Sequence, residues 1–393
     1  MKCEDTYFIQ LLSDFLYERK SVSQIDVEWT RILALAKMHQ VEGILFYQCK
    51  EFLPAHLASH LKNQFVSTLY CYKNRKLLIK KIDEFFTINS IPYFWIKGIN
   101  VAQYFPQPAL RTMGDSDLVV HESDKIRAEK ALMDLGFSRK YEFTGKERGF
   151  SFNHIGIELH HKLVYEEIVS LSVHKDFFND CWQYINDGKP DSSFEFLFLI
   201  VHLRKHMLNE GVGIRQFLDI AVLIKNNKSL NWNWISEKLQ KLRLQSFAET
   251  CFGMIDYWFG IQAPIKYVMP NCEFQKKALE KILSNGVFGF DNSFNKSNGV
   301  LNEMRLFKGP VLLFRLSAII RRSFPGYEYL LAGEPYRFLR GRPWLLPVAW
   351  GYRFYLMRLG KTNSASKIFD RIMTKKDVIN ARENELRQWG LID

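Results

Sequence analysis

Two aspartates, Asp115 and Asp117, stand two residues apart in Gly114-Asp-Ser-Asp-Leu-Val-Val120, a segment whose apolar end reads as a β-strand. Side chains two apart on a strand point to the same face. Two carboxylates on one face repel each other unless a cation lies between them, so the pair is a natural hard-oxygen site for Mg²⁺ or Mn²⁺. Replacing either aspartate by Asn is expected to end metal-dependent chemistry and, by relieving the repulsion, to raise the melting temperature. Glu158 and His160 form a second i, i+2 pair on another strand-like run, residues 155–160. If the two strands are neighbours, Asp115, Asp117 and Glu158 converge as three carboxylates. Such a set holds two divalent ions, the arrangement that activates an attacking oxygen and stabilises a leaving one in phosphoryl transfer. A bare D-x-D also suits a turn or a solvated strand edge, so its surroundings decide how it is read.

Those surroundings are cationic and glycine-punctuated. Residues 91–96, Ile-Pro-Tyr-Phe-Trp-Ile, read as a short buried strand that ends at Lys97-Gly98. Gly98 permits close backbone approach to a phosphate. A short helix expected over residues 99–105 would present its N-terminus to a triphosphate. Lys97 and Arg111 supply positive charge. Each has a plainer alternative: Lys97 as a strand-end lysine, and Arg111 as a structural partner of Asp115 or Asp117. His160 either orients a metal-bound group or hydrogen-bonds within the core. His202 and His206 are four apart on a helix, a zinc-compatible spacing, but no H-E-x-x-H glutamate and no third ligand accompany them, which favours helix packing. Arg215 and Asp219 read as a helical ion pair.

The elements that must position these residues follow from periodicity. Phe8, Leu11, Leu12 and Phe15 recur at helical spacing, as do Trp29, Ile32, Leu33 and Ala36, and a third helical stretch runs over residues 61–86. After the strands at 91–96 and 115–120, residues 122–135 read as a helix stopped by Gly136. Residues 150–152 and 155–159 alternate like a hairpin around Asn153-His154. Helical patterns resume over 193–225 and continue less clearly to 290, and residues 286–302, rich in Gly, Asn and Ser, look like a linker. The expected fold class is α+β, a small mixed β-sheet core embedded in a mostly helical protein. Its expected divisions are an N-terminal helical region (1–90), an α/β core (91–190), a helical domain (191–290) and a basic, aromatic, helical C-terminal region (300–393).

Composition narrows the partners. The 393 residues are 47% hydrophobic, 24% charged and 15% aromatic, with a formal net charge of +12. That excess favours polyanions such as nucleotides, RNA or an anionic membrane surface. Residues 305–361 carry eleven Lys or Arg against Glu328 and Glu334, interleaved with tyrosines and tryptophans. Three readings stay open for this region: a packing subdomain, a surface for RNA or another polyanionic acceptor, and peripheral contact with a membrane. Six widely spaced cysteines argue against a zinc knuckle or a disulfide framework and fit a reducing, cytoplasmic setting. The N-terminus, with acids among its apolar residues, is not a signal peptide, and no stretch is apolar and long enough for a transmembrane segment.

The stretch Phe94-Trp-Ile-Lys-Gly-Ile-Asn-Val-Ala-Gln-Tyr-Phe-Pro-Gln-Pro-Ala-Leu-Arg-Thr-Met-Gly-Asp-Ser-Asp-Leu-Val-Val120 resembles the signature of an uncharacterised nucleotidyltransferase family within the polymerase-beta-like superfamily. The likeness resumes at Ile157-Glu-Leu-His-His-Lys-Leu163 and continues faintly through residues 202–206 and 215–219, about 95–225 in all. The "KG … R…GDSDLVV" part is the specific one. The resemblance implies a metal-dependent transfer of a nucleoside monophosphate from an NTP to a hydroxyl or phosphate acceptor. It makes Asp115 and Asp117 the metal ligands, Glu158 the third carboxylate, and Gly98 part of the phosphate-binding turn. The wider superfamily has Gly-Gly or Gly-Ser at that turn, whereas Ile99 follows Gly98 here; Lys97, Arg111 and His160 are the candidates to complete the nucleotide grip. The alternatives are a catalytically inactive nucleotide- or RNA-binding module with the same fold, and a toxin-like enzyme that modifies RNA.

Overall fold

A computed structural model of the chain describes residues 2–24, 26–142, 148–164, 174–209, 211–286, 310–331, 334–359 and 376–392. Three amphipathic helices, α1 (Cys3–Leu16), α2 (Trp29–His39) and α3 (Glu42–Cys49), precede a 34-residue helix, α4 (Ala55–Ile88). Then comes the mixed unit: β1 (Tyr93–Ile96), the one-turn helix α5 (Gly98–Ala102), β2 (Asp115–Val120), α6 (Lys125–Asp134), β3 (Ser138–Glu142), β4 (Arg148–Phe152) and β5 (Ile155–His160). Helices α7 (Lys175–Asn179), α8 (Ser192–Asn209), α9 (Ile214–Asn226), α10 (Trp232–Lys241), α11 (Gln245–Phe259) and α12 (Cys272–Asn285) follow. The fold is α+β: a small mixed sheet within a mostly helical chain.

The sheet order is β1-β2-β5-β4-β3. Only the β2–β5 pair is parallel; the rest are antiparallel. Strand alternation sorts the side chains onto two faces. Leu118, Val120, Ile157 and Leu159 pack with Ile82 and Phe86 of α4 and with Ala128 and Leu132 of α6. Phe94, Ile96 and Val119 face the other way, into a core that also holds Phe8 of α1, Phe198 of α8, Trp258 of α11 and, near the C-terminus, Trp389. Each such aromatic or leucine stabilises the fold by about 1.5–3 kcal/mol on burial. Both faces of the central strands are therefore covered, which is why the carboxylates between them are sheltered from bulk water.

The β4–β5 hairpin turns at Asn153 and His154, with φ of 46° and 66°, the backbone of a two-residue turn that Asn adopts readily. Gly136, at φ 91°, lies just past α6 where a helix stop is expected. Strand β3 is not apparent in the sequence, because Ser-Arg-Lys-Tyr-Glu is polar throughout. It exists as an edge strand on β4, with Arg139 Nη2 donating to Glu129 of α6 at 2.6 Å. The linker-like stretch 286–302 falls, from 287 onward, outside the described residues. All six cysteines are free. Among the described residues no helix is long and apolar enough to cross a membrane.

From residue 310 a separate small core forms around Leu330, Tyr336, Leu339, Ala349 and Leu356. It draws on the helices Tyr327–Leu331 and Leu346–Arg358 and the 3-10 turn Glu334–Leu339, and is preceded by the Val311–Ser323 helix, on which Phe314 and Ala318 are buried. The Lys376–Gln388 helix leads instead to Leu386, Trp389 and Leu391, which join the main core.

Candidate active site

The parallel β2–β5 ladder sets Asp117 opposite Glu158 and Asp115 opposite Gly156. Period-2 alternation then places Asp115, Asp117, Glu158 and His160 on one face, the face toward α8. Gly156 has a steric role here: a Cβ at that position would lie 3.3 Å from the Asp115 Cβ. The glycine leaves the room that the Asp115 side chain occupies.

Asp117 is the hub and is only 6% exposed. Lys97 Nζ lies 2.6 Å from its Oδ1, and His160 Nε2 donates to the same oxygen at 3.0 Å. His160 Nε2 is also 3.6 Å from Glu158 Oε2. Burial pushes the Asp117 carboxyl up, but Lys97 and His160 outweigh it and hold the group well below the usual carboxylate range. Burial likewise opposes the charged form of His160, yet its bonds to Asp117 and Glu158 raise it to about 9. Lys97 follows the same logic and is raised, with Asp117 as the main favourable partner. Asp115 feels burial and its acidic neighbours more strongly than the same Lys97 charge. Burial first, then the Asp117 and Glu158 charges, lift it to about 6.

The backbone of Lys97 is unusual. Its φ of 62° and ψ of −123° lie in a region that favours glycine, and a lysine there costs about 1–3 kcal/mol. Glu195 of α8 over-determines it. Glu195 Oε1 accepts the Lys97 backbone N–H at 2.7 Å and the Asn100 amide at 3.1 Å, and Asn100 also donates to Trp95 O at 2.8 Å. Burial raises the Glu195 carboxyl to about 8 against these hydrogen bonds. The strained turn is what sends the Lys97 ammonium toward Asp117 as the chain leaves β1. Glu195 escapes a motif-based reading. Its one signal is that it is the only charged residue in the apolar run Phe194-Glu-Phe-Leu-Phe-Leu-Ile-Val201.

A second unforeseen residue is Arg75 of α4. Its guanidinium donates to Ser116 Oγ at 2.8 Å, Met113 O at 3.0 Å and Gly114 O at 3.2 Å. It thereby fixes the backbone that enters β2. In the sequence it sits in the polar stretch Tyr72-Lys-Asn-Arg-Lys76 and looks like any solvated helix face.

Arg111 does not pair with Asp115 or Asp117. Its Nε and Nη2 bind the two carboxylate oxygens of Asp219 at 2.9 and 2.7 Å. Its Nη1 stands 3.0 Å from where a Cβ on Gly98 would be, so any side chain at 98 would meet the guanidinium. The expected Arg215–Asp219 pair does not form, because Asp219 is committed to Arg111. Arg215 donates instead to Gln40 Oε1 at 2.6 Å and Thr112 Oγ1 at 3.0 Å, tying α9 to the loop before β2. His202 and His206 bond each other, Nε2 to Nε2, at 3.0 Å. Burial, followed by the nearby Lys97 charge, lowers His202 well below its usual range. Helix α5 has five residues, too few for a strong helix-end anion site.

The donor atoms of Asp117, Glu158 and His160 lie within 4.8 Å of one another. Two carboxylates and an imidazole, with Asp115 on the same face, are a donor set that could hold a divalent metal ion. Among the described residues this is the group of potential ligands that converges. No curated protein and no solved structure matches the chain. The model of one protein family, described as an uncharacterised nucleotidyltransferase, matches residues 26–260. That span takes in α2, the whole sheet, the carboxylate cluster and α8 to α11, and the chain belongs to this nucleotidyltransferase family.

Proposed function

We propose that the cluster on β2 and β5 transfers a nucleoside monophosphate from an NTP to a hydroxyl or phosphate acceptor, with Asp115, Asp117 and Glu158 holding divalent metal. The observation that carries this reading is the register of one parallel strand pair, which sets Glu158 beside Asp117 on the face shared by Asp115. Bound Mg²⁺ or Mn²⁺ would supply charge neutralisation on the triphosphate and activation of the attacking oxygen. The remaining work falls to side chains. Lys97 exchanges Asp117 for a phosphate oxygen when nucleotide arrives, freeing Asp117 Oδ1 as a ligand. Arg111, anchored by Asp219, offers Nη1 beside the Gly98 backbone. Glu158 takes the proton of the acceptor hydroxyl. His160, whose Nε2 lies 3.0 Å from Asp117 Oδ1, would lose its second proton to solvent and remain as a neutral imidazole when metal occupies the carboxylates.

The experiment is incubation of the full chain with labelled NTPs and Mg²⁺ or Mn²⁺, offering RNA, protein and small-molecule acceptors. Covalent transfer of label that depends on the metal and disappears in Asp117→Asn supports the reading. Tight nucleotide binding without transfer to any acceptor would instead mark an inactive binding module of the same fold.

A further inference from the structure

Of the large hydrophobic side chains that stand exposed among the described residues, half lie between Leu313 and Leu359. They form stripes. On the Val311–Ser323 helix Phe314 and Ala318 are buried, while Leu313, Leu316 and Ile320 are 55%, 49% and 59% exposed. On the Leu346–Arg358 helix Ala349 and Leu356 are buried, while Val348, Tyr352 and Tyr355 are 60%, 39% and 58% exposed. Both stripes follow three- and four-residue spacing, so each helix has one buried side and a second that leaves large apolar groups exposed; of these, Tyr352 reaches back to the rings of Tyr336 and Phe338, each at 6.2 Å. The helices belong to one unit: the Phe324 ring packs on Trp350 and Phe354 at 5.3 and 5.8 Å, and Trp350 Nε1 donates to Pro325 O at 2.9 Å. The segment joining them exposes Arg337, Arg340, Arg342 and Trp344. Residues 310–331 and 334–359 contain eight arginines against two glutamates.

We propose that this face docks on the surface of an anionic phospholipid bilayer. The chemistry of the exposed side chains selects that occupant. RNA would use the tyrosines by stacking and the arginines by phosphate contact, but it has no use for Leu313, Leu316, Ile320 and Val348. A second copy of the chain would bring one arginine-rich face against another, a like-charge juxtaposition that opposes docking. An anionic bilayer takes all three kinds of side chain: aliphatic groups at the acyl boundary, Tyr and Trp at headgroup depth, and arginines on lipid phosphates. Since no described helix is long and apolar enough to span, this attachment is to the surface. The inference stands on the exposed stripes alone and holds whether or not the sheet site transfers nucleotides.

Co-sedimentation of the full chain with phosphatidylcholine vesicles, with and without phosphatidylglycerol, tests it. The protein should be retained on the anionic vesicles, left in the supernatant with the neutral ones, and released by added salt. Arg340→Ala combined with Arg342→Ala should weaken retention roughly twenty-five-fold, because each basic side chain near such a surface contributes about fivefold. Leu316→Ser combined with Ile320→Ser should weaken it about tenfold or more. These four side chains are exposed, and the thermal melt followed by circular dichroism should match the parent for both variants. Three results overturn the proposal: no retention on either vesicle, RNA binding without vesicle binding, or a concentration-dependent dimer in light scattering that Leu316→Ser with Ile320→Ser abolishes.

Discussion

The face of β2 and β5 and the face between Leu313 and Leu359 depart from ordinary burial in opposite directions. At the sheet, four ionisable side chains and Lys97 are drawn out of water, and each is given a partner or left in repulsion. At the C-terminal unit, leucines, valine and tyrosines are left in water beside arginines. Buried charge and exposed apolar stripes both cost free energy in the folded chain. The first cost is offset inside the molecule, by Lys97 and His160 on Asp117. The second has no such offset among the described residues, and the proposed bilayer surface would supply one.

Asp117→Asn should produce the largest effect, and it sharpens the contrast between the two aspartates. The sequence alone leads one to expect either Asn variant to raise the melting temperature. For Asp117 that expectation reverses, because its loss strands the buried Lys97 ammonium; leaving one half of a buried pair costs about 3–5 kcal/mol. Asp115→Asn removes a charge that burial and the Asp117 and Glu158 carboxylates disfavour more than Lys97 favours it, and should raise the melting temperature by a few degrees. Both should bring nucleotidyl transfer to background. Calorimetry on the two variants side by side decides the matter: a raised melting temperature in Asp117→Asn would contradict the partnering of Asp117, and a lowered one in Asp115→Asn would contradict the repulsion at Asp115.

Glu158→Gln comes next. Turnover should fall roughly 10²–10⁴-fold, the usual contribution of a positioned general base, with nucleotide affinity nearly unchanged in titration calorimetry. A comparable loss in affinity would reassign Glu158 to nucleotide binding.

Glu195 tests whether the strained turn matters. Glu195→Ala should cost about 1–3 kcal/mol by leaving the Lys97 N–H without its acceptor, and it should lower turnover by letting Lys97 drift from Asp117. Glu195→Gln keeps a carbonyl acceptor and should recover most of both. The carboxyl also predicts a pH signature. Glu195 is raised from 4.5 to about 8, and His160 from 6.5 to about 9. Both groups hold more protons folded than unfolded, so their stabilisation is complete below those starting values and drains away as pH rises through about 8 and then about 9. Chemical denaturation between pH 7 and pH 9, above the range in which the desolvated histidines His39, His161 and His174 add stability with rising pH, should show the fall, and Glu195→Gln should flatten its earlier part.

The smallest effect belongs to the other face. Arg340→Ala with Arg342→Ala should shift folding stability by less than about 0.5 kcal/mol, as exposed substitutions usually do. A large loss in denaturant titration would make these arginines part of the fold and remove the contrast from which the comparison starts.

Much of the site was legible because strand alternation is local. Asp115 and Asp117 share a face by period two, as do Glu158 and His160, and the Asn153-His154 turn between alternating runs announces the β4–β5 hairpin. Amphipathic spacing likewise exposed the first helices and α6. Polar β3 was hidden because an edge strand, solvated on one side, lacks the apolar alternation that marks a strand.

What the amino-acid order determined by itself was the inventory and its local geometry: which carboxylates share a strand face, where the glycine and lysine fall, and which segment carries the excess of arginine. Tertiary structure decided who meets whom. The parallel pairing of β2 with β5 brings Glu158 to Asp117. Helix α8 carries Glu195 to the Lys97 backbone, 98 residues away in the chain. Asp219 takes Arg111 rather than the helical neighbour Arg215. The physical reason is that a strand or helix period follows from neighbouring backbone sterics, whereas the partner of a buried charge is chosen by packing between distant elements, where the cost of leaving any charge unpaired forces the pairing.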